Sequence, residues 1–161
     1  MGIRALDTDL RSIAFSNLCS YDIFISEYRK IVALSSNYLI GNMKLGRRRK
    51  AKFNINLSPL PGLIEVVKSC RDQQIRREAI RMLSSLSCKQ GLLDSQLAAK
   101  MGTWIMEVEE MRMVNGCIPE SARMKSIKMN VNARLKIAVL EGVRVEEGGK
   151  QVIERTVIAL T

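Results

Sequence analysis

Four cysteines and not one histidine set the outer limits of the chemistry open to this chain. Cys19, Cys70, Cys88 and Cys117 are separated by 51, 18 and 29 residues, so no Cys-x-x-Cys knuckle exists. Without histidine there is no Cys/His zinc pattern either, and no metal site is expected. The cysteines read instead as small buried hydrophobes in a reducing compartment. Ser-His-Asp and Cys-His sites and histidine acid–base chemistry are excluded, because no other side chain titrates unperturbed near neutral pH. An enzyme would have to work with paired carboxylates or a lysine. The carboxylates of Glu107, Glu109 and Glu110 lie in a helical run that reads as a solvated face. No catalytic residue and no cofactor are therefore assigned, and the chain is not expected to be an enzyme.

Charge is the next candidate for function. The 161 residues carry a formal net charge of +10. Residues 1–57 hold ten basic against four acidic residues, 58–113 eight against seven, and 114–161 eight against five, so most of the excess lies near the N-terminus. Half of those ten stand in one run, GRRRKAK, at Arg47, Arg48, Arg49, Lys50 and Lys52. A short basic run reads as a solvated loop, as a nuclear-import signal or as a phosphate-contact loop. Base-specific recognition needs a helix or ribbon aimed into a groove, or aromatic platforms. Only 4% of the residues are aromatic, and they fall on apolar stripes, so sequence-specific DNA binding by this chain alone is not expected.

A second basic cluster lies in CRDQQIRREAIRML, residues 70–83. Ile75, Ala79, Met82 and Leu83, then Leu86, share one helical face, which predicts a helix burying an apolar stripe. Asp72 stands at the N-cap position, and Arg76, Arg77 and Glu78 are expected to face outward or toward a partner. Arg71, Asp72, Arg76, Arg77 and Glu78 have two readings. They tie neighbouring helices together through guanidinium–carboxylate contacts, or they form a surface for a partner protein or an acidic ligand.

The elements that would hold these residues follow from periodicity. Phe24, Tyr28, Ile31, Val32, Ser35, Tyr38 and Leu39 predict a helix over residues 20–40, closed by Gly41, Asn42 and Gly46. A basic loop over 41–57 follows, with a short extended stretch at its end, and a short helix is expected around Leu10 to Leu18. Pro59 and Pro61 suit the start of a helix from Leu60 to Ser69, joined tightly to the next. A further helix begins near Leu93 or Asp94, with Leu97, Met101, Trp104, Ile105, Val108 and Met111 on one face and Trp104 as a core anchor. After Gly116 and Pro119 the period changes to two. Ile127, Met129 and Val131, then Leu135, Ile137 and Val139, then Ile153 and Val157 predict a three-stranded antiparallel meander over 120–160, with turns at Asn130 to Ala133 and Glu146 to Gly149. Its apolar face is expected to lie on the helices. The fold class is thus α+β, mainly α, in one domain spanning 1–161, with 58–113 as its helical motif region.

No run approaches the roughly 18 apolar residues of a spanning helix, and the start MGIRALDTDLRS lacks both the apolar core of a signal peptide and a Ser or Thr at the sixth place for lipidation. A soluble, intracellular chain is expected, with no membrane contact.

The order of several short motifs resembles the C-terminal region of fungal zinc binuclear cluster transcription factors. They are Cys70, Arg71 and Asp72; Ile75, Arg76, Arg77, Ala79 and Ile80; Gly91, Leu92 and Asp94; Ala98, Ala99 and Lys100; Glu109 and Glu110; then Pro119, Glu120, Ala122 and Arg123. With the helix from Tyr21 and the Pro59 entry, the resemblance covers roughly Tyr21 to Ile158. Leu93 stands where that family often has Trp, and Ser87 to Gln90 replace an Arg-rich link. The resemblance implies a non-catalytic regulatory module acting in transcription regulation by protein contact. Its partners would be the transcription machinery or a second copy of itself, and its place the nucleus, or the cytoplasm if the basic loop is not an import signal. The family's zinc-holding six-cysteine DNA-binding module has no counterpart here. Two alternatives stand beside this reading: a small basic nucleic-acid-associated protein, and an inactive truncated gene product.

Overall fold

The computed structural model describes residues 22–44, 58–86, 89–90 and 93–160. The basic run Arg47 to Lys52, the helix expected around Leu10 to Leu18, and the extended stretch before Ser58 lie outside the described residues.

A 3-10 turn, Asp22–Phe24, leads into α1, Ile25–Lys44. Tyr28, Val32 and Ser35 are buried, spaced four and three apart as a stripe requires. The Ser35 hydroxyl donates to the Ile31 carbonyl at 2.7 Å, which satisfies a polar group within that stripe. Phe24 and Tyr38, expected on the same stripe, sit at its margins and are exposed. The helix also continues beyond the expected stop at Gly41. One glycine costs a helix only about 1 kcal/mol relative to alanine, too little to end it without a capping turn.

Helix α2, Leu60–Ser69, begins as its prolines predict: Pro59 is the N-cap and Pro61 lies in the first turn, where a missing N–H costs no helical bond. Leu60, Leu63, Val66 and Val67 are buried. Three residues, Cys70 to Asp72, then connect to α3, Gln73–Ser85. The Asp72 carboxylate accepts from the Ile75 backbone N–H at 2.9 Å and so caps α3. Ile75, Ala79, Met82 and Leu83 are buried as the periodicity predicts.

A two-residue antiparallel ladder, β1 (Lys89–Gln90) with β2 (Leu93–Asp94), precedes α4, Ser95–Glu110. The sequence gives no period long enough to predict this ladder. Asp94 caps α4 by accepting from the Leu97 N–H at 2.6 Å. Leu97, Met101, Ile105 and Val108 are buried, whereas Met111, expected with them, lies past the helix end and is exposed.

The meander comprises β3 (Met124–Asn132), β4 (Ile137–Val145) and β5 (Gln151–Ala159), antiparallel and in that order. The first turn falls three residues later than predicted, because β3 continues through Asn132. The Asn132 side-chain oxygen accepts from the Leu135 N–H at 3.0 Å, and Lys136 takes a positive φ of 51°, so the turn is built around residues 133–136. Glu146 to Lys150 form the second turn, with Gly148 and Gly149 at φ of 93° and 80°.

The sheet also lies the other way up from the expectation along β4 and β5. Ile127 and Met129 of β3 do pack on the helices, but Ile137, Val139, Ile153 and Val157 occupy the opposite, outward side. Ala138, Leu140 and Gly142 of β4 face inward instead. The reason is volume. Trp104 and Met124 already fill the space over β4, and a Cβ on Gly142 would press on the Met124 sulfur and stand 3.1 Å from the Trp104 ring.

Two apolar clusters result among the described residues. One joins α1, α2 and α3 with Ala98 and Ala99 of α4, and the other joins Met101, Ile105 and Val108 of α4 with Met124 and Leu140 of the sheet. Trp104 is half-buried against the second, and Ile64 packs against both. The architecture is α+β and mainly α: four α-helices and a C-terminal three-stranded antiparallel sheet among the described residues.

Candidate functional site

The densest polar constellation lies where the α2–α3 link, the end of α4 and the start of β3 meet. Glu109, expected on a solvated face, is fully buried. Its Oε2 accepts from Arg76 Nη2 at 2.7 Å. Its Oε1 lies 3.5 Å from Arg71 Nη2 and accepts from the Met124 backbone N–H at 3.0 Å. One carboxylate thus connects α3, the α2–α3 link and the first residue of β3.

Arg76, expected to face outward, is likewise fully buried. Besides Glu109 it donates through Nε to the Cys70 carbonyl, which closes the link back onto α3. The Cys70 N–H caps α2 by donating to the Val66 carbonyl at 2.9 Å. A buried charge is tolerated only when paired and hydrogen-bonded, and this geometry meets that condition for Glu109. Arg71 also donates to the Ser69 carbonyl, at 2.5 Å. Arg123 is buried nearby, with its Nε 3.1 Å from Glu120 Oε2 on the preceding 3-10 turn.

A second network lies at the same end of the sheet, where Arg144 of β4 pairs with Met124 of β3. Glu154 Oε1 accepts from Arg112 Nη2 at 2.9 Å and Arg144 Nε at 3.0 Å, and Arg144 Nη1 reaches Glu146 at 3.0 Å. It joins the end of α4 to β4 and β5.

Of the five residues singled out around α3, Arg71, Asp72 and Arg76 converge on the junction or cap its helix. Arg77 and Glu78 do not enter it. Arg77 pairs with Glu110 at 2.6 Å on the surface, and Glu78 pairs with Arg81 one turn along at 2.6 Å. Sequence reasoning missed Glu109 as the hub, although a signal was present: it stands at the inward spacing of Ala98, Met101 and Ile105, where an acidic residue must find a partner. Arg144 and Glu154 carried no such signal, since period two does not say which side of a strand is covered.

Among the described residues no group of three or more Cys, Asp or Glu side chains is placed to hold a metal ion. Cys70 is buried, and burial pushes its thiol pKa up; Cys117 is exposed. Two open grooves flank the sheet. One, of about 310 Å³, lies between α2 and β3 and is lined by Lys68, Arg71, Glu120 and Lys125. The other, of about 510 Å³, lies between α4 and β5, with Lys100, Trp104, Thr156 and Ile158 on its walls. No helix is long and apolar enough to cross a membrane among the described residues.

No protein-family model, no curated protein and no solved structure matches the chain.

Proposed function

We propose that this chain is a non-catalytic regulatory module, similar to the C-terminal part of fungal zinc-cluster transcription factors, that acts in transcription regulation by protein contact in the nucleus. One observation carries the reading: the ordered series of residues from Cys70 to Arg123 on which the resemblance rests. Several of its members, Cys70, Arg71, Asp72, Arg76 and Glu109, share one junction, so the series is held together by a common physical task as well as by spacing. The role does not call for a reacting group, a cofactor or a metal on this chain. Contact would be made by surfaces the junction holds in fixed relation.

The test is to fuse the chain to an unrelated DNA-binding domain and direct it to a reporter promoter in fungal cells. A change in reporter output that disappears when Glu109→Ala unfolds the junction is the expected result. A folded, nuclear fusion that leaves output unchanged overturns the reading. Tight, salt-sensitive binding of the purified chain to a DNA duplex also overturns it, in favour of a nucleic-acid-associated protein working through charge.

A further inference from the structure

Helix α1 is apolar on two sides. Tyr28, Val32 and Ser35 face α2 and α3, while the opposite side carries Ile23 and Leu34, 68% and 69% exposed. Between them on that outer side stand Glu27 and Lys30, both exposed. The spacing of Ile23, Glu27, Lys30 and Leu34 is four, three and four, which keeps all of them on one face of the helix and its leading turn. Eleven residues of rise make this stripe about 16 Å long.

The stripe reads apolar, acidic, basic, apolar, and it is its own complement when reversed. Laid antiparallel on a second copy, Ile23 meets Leu34 and Glu27 meets Lys30, and the two-fold axis repeats each contact. A parallel alignment would set Glu27 on Glu27 and Lys30 on Lys30, so the charges select the antiparallel one. We propose that the outward stripe of α1 is a homotypic docking surface whose occupant is the same stripe of a second copy of this chain, packed antiparallel about a two-fold axis. The surface lies away from the junction around Glu109, and the proposal does not depend on the regulatory reading. Each copy contributes two apolar and two charged side chains, which gives two charge pairs in all and a small contact, of the weak and transient class.

The test is sedimentation equilibrium of the full chain from about 10 µM to about 1 mM, the concentration range of weak contacts. The wild-type chain is expected to form a dimer that weakens as salt is raised. Glu27→Lys and Lys30→Glu should each weaken the dimer by about tenfold or more, because each places like charges against one another. Mixing the two variants should restore association as a 1:1 heterodimer, in which every charge contact is opposite in sign. Both positions are exposed, so circular dichroism should stay as in the wild type; Glu27 lies in the first turn of α1, so Glu27→Lys should lower the melting temperature slightly while Lys30→Glu leaves it unchanged. A chain that remains monomeric to 1 mM overturns the proposal. So does a dimer indifferent to both charge reversals, or a mixture of the variants that fails to associate.

Discussion

Arg76 and Glu109 are 33 positions apart in the chain, and their side chains meet at 2.7 Å where neither is exposed to solvent. The pair holds α3 against the end of α4. Removing one partner strands the other in a medium that solvates it poorly. Arg76→Met or Glu109→Leu is expected to cost about 3–5 kcal/mol. The double variant should cost clearly less than the sum of the two, since neither charge is then left alone. Urea denaturation of the four chains of this cycle measures both quantities.

Two aspartates cap neighbouring helices through the same contact, Asp72 to the Ile75 N–H and Asp94 to the Leu97 N–H. Asp72→Ala and Asp94→Ala should each lower stability by about 1 kcal/mol, whereas the asparagine variants, which keep the accepting oxygen, should lose less. The same denaturation experiment would register the difference between alanine and asparagine at each site.

Gly142 lets the centre of β4 approach α4 closely. Gly142→Ala should displace Met124 and press on Trp104, with a cost of about 1–3 kcal/mol for the overpacked core. Trp104 is the only tryptophan, so its emission should shift in the same variant. Gly102 makes the corresponding approach on α4, where an added Cβ would stand 2.8 Å from the Val67 Cβ. Gly102→Ala is expected to destabilise the contact between α4 and α2, read as a lower melting temperature.

Alkaline pH should weaken the fold. Burial raises the pKa of the Cys70 thiol, and burial together with the charge of Glu65 raises that of the Tyr28 phenol. A raised folded-state pKa means that the native state holds its proton longer than the unfolded chain does. The stability from these groups is fully present below the unfolded pKa, about 8.5 for a thiol and about 10 for a phenol, and is lost as pH rises above those values. Denaturation between pH 7 and pH 10.5 should show the decline, and Cys70→Ala should reduce its lower-pH part. By mass spectrometry, a thiol reagent should reach Cys117 at once and Cys70 only after denaturant is added.

Much of the helical part was legible because its local signals agree with one another. For α3, the apolar spacing from Ile75 to Leu83 and the cap at Asp72 give the same start and the same buried face. For α2, the prolines and the apolar run do so as well. The meander was legible as three strands, but its orientation was not. Along β4 the side chains of Ile137, Val139, Val143 and Val145 are larger than those of Ala138 and Gly142, so hydrophobicity alone points the wrong side inward. The deciding fact is the bulk of Trp104 and Met124 above the strand, a tertiary fact that no local window contains. The junction was half legible for a related reason. Arg71 and Arg76 are conspicuous in a basic motif, while Glu109 sits among other acidic residues whose local pattern resembles a wet surface.

Helix α4 belongs to both apolar clusters, its Ala98 and Ala99 to the helical one and its Met101, Ile105 and Val108 to the one beneath the sheet. Neither half of the molecule owns that helix. Opening the meander would bare one side of α4, and melting the helices would remove the support that a three-stranded sheet requires. The most protected amide hydrogens of α4 and of β4 should therefore report one common opening free energy, that of global unfolding.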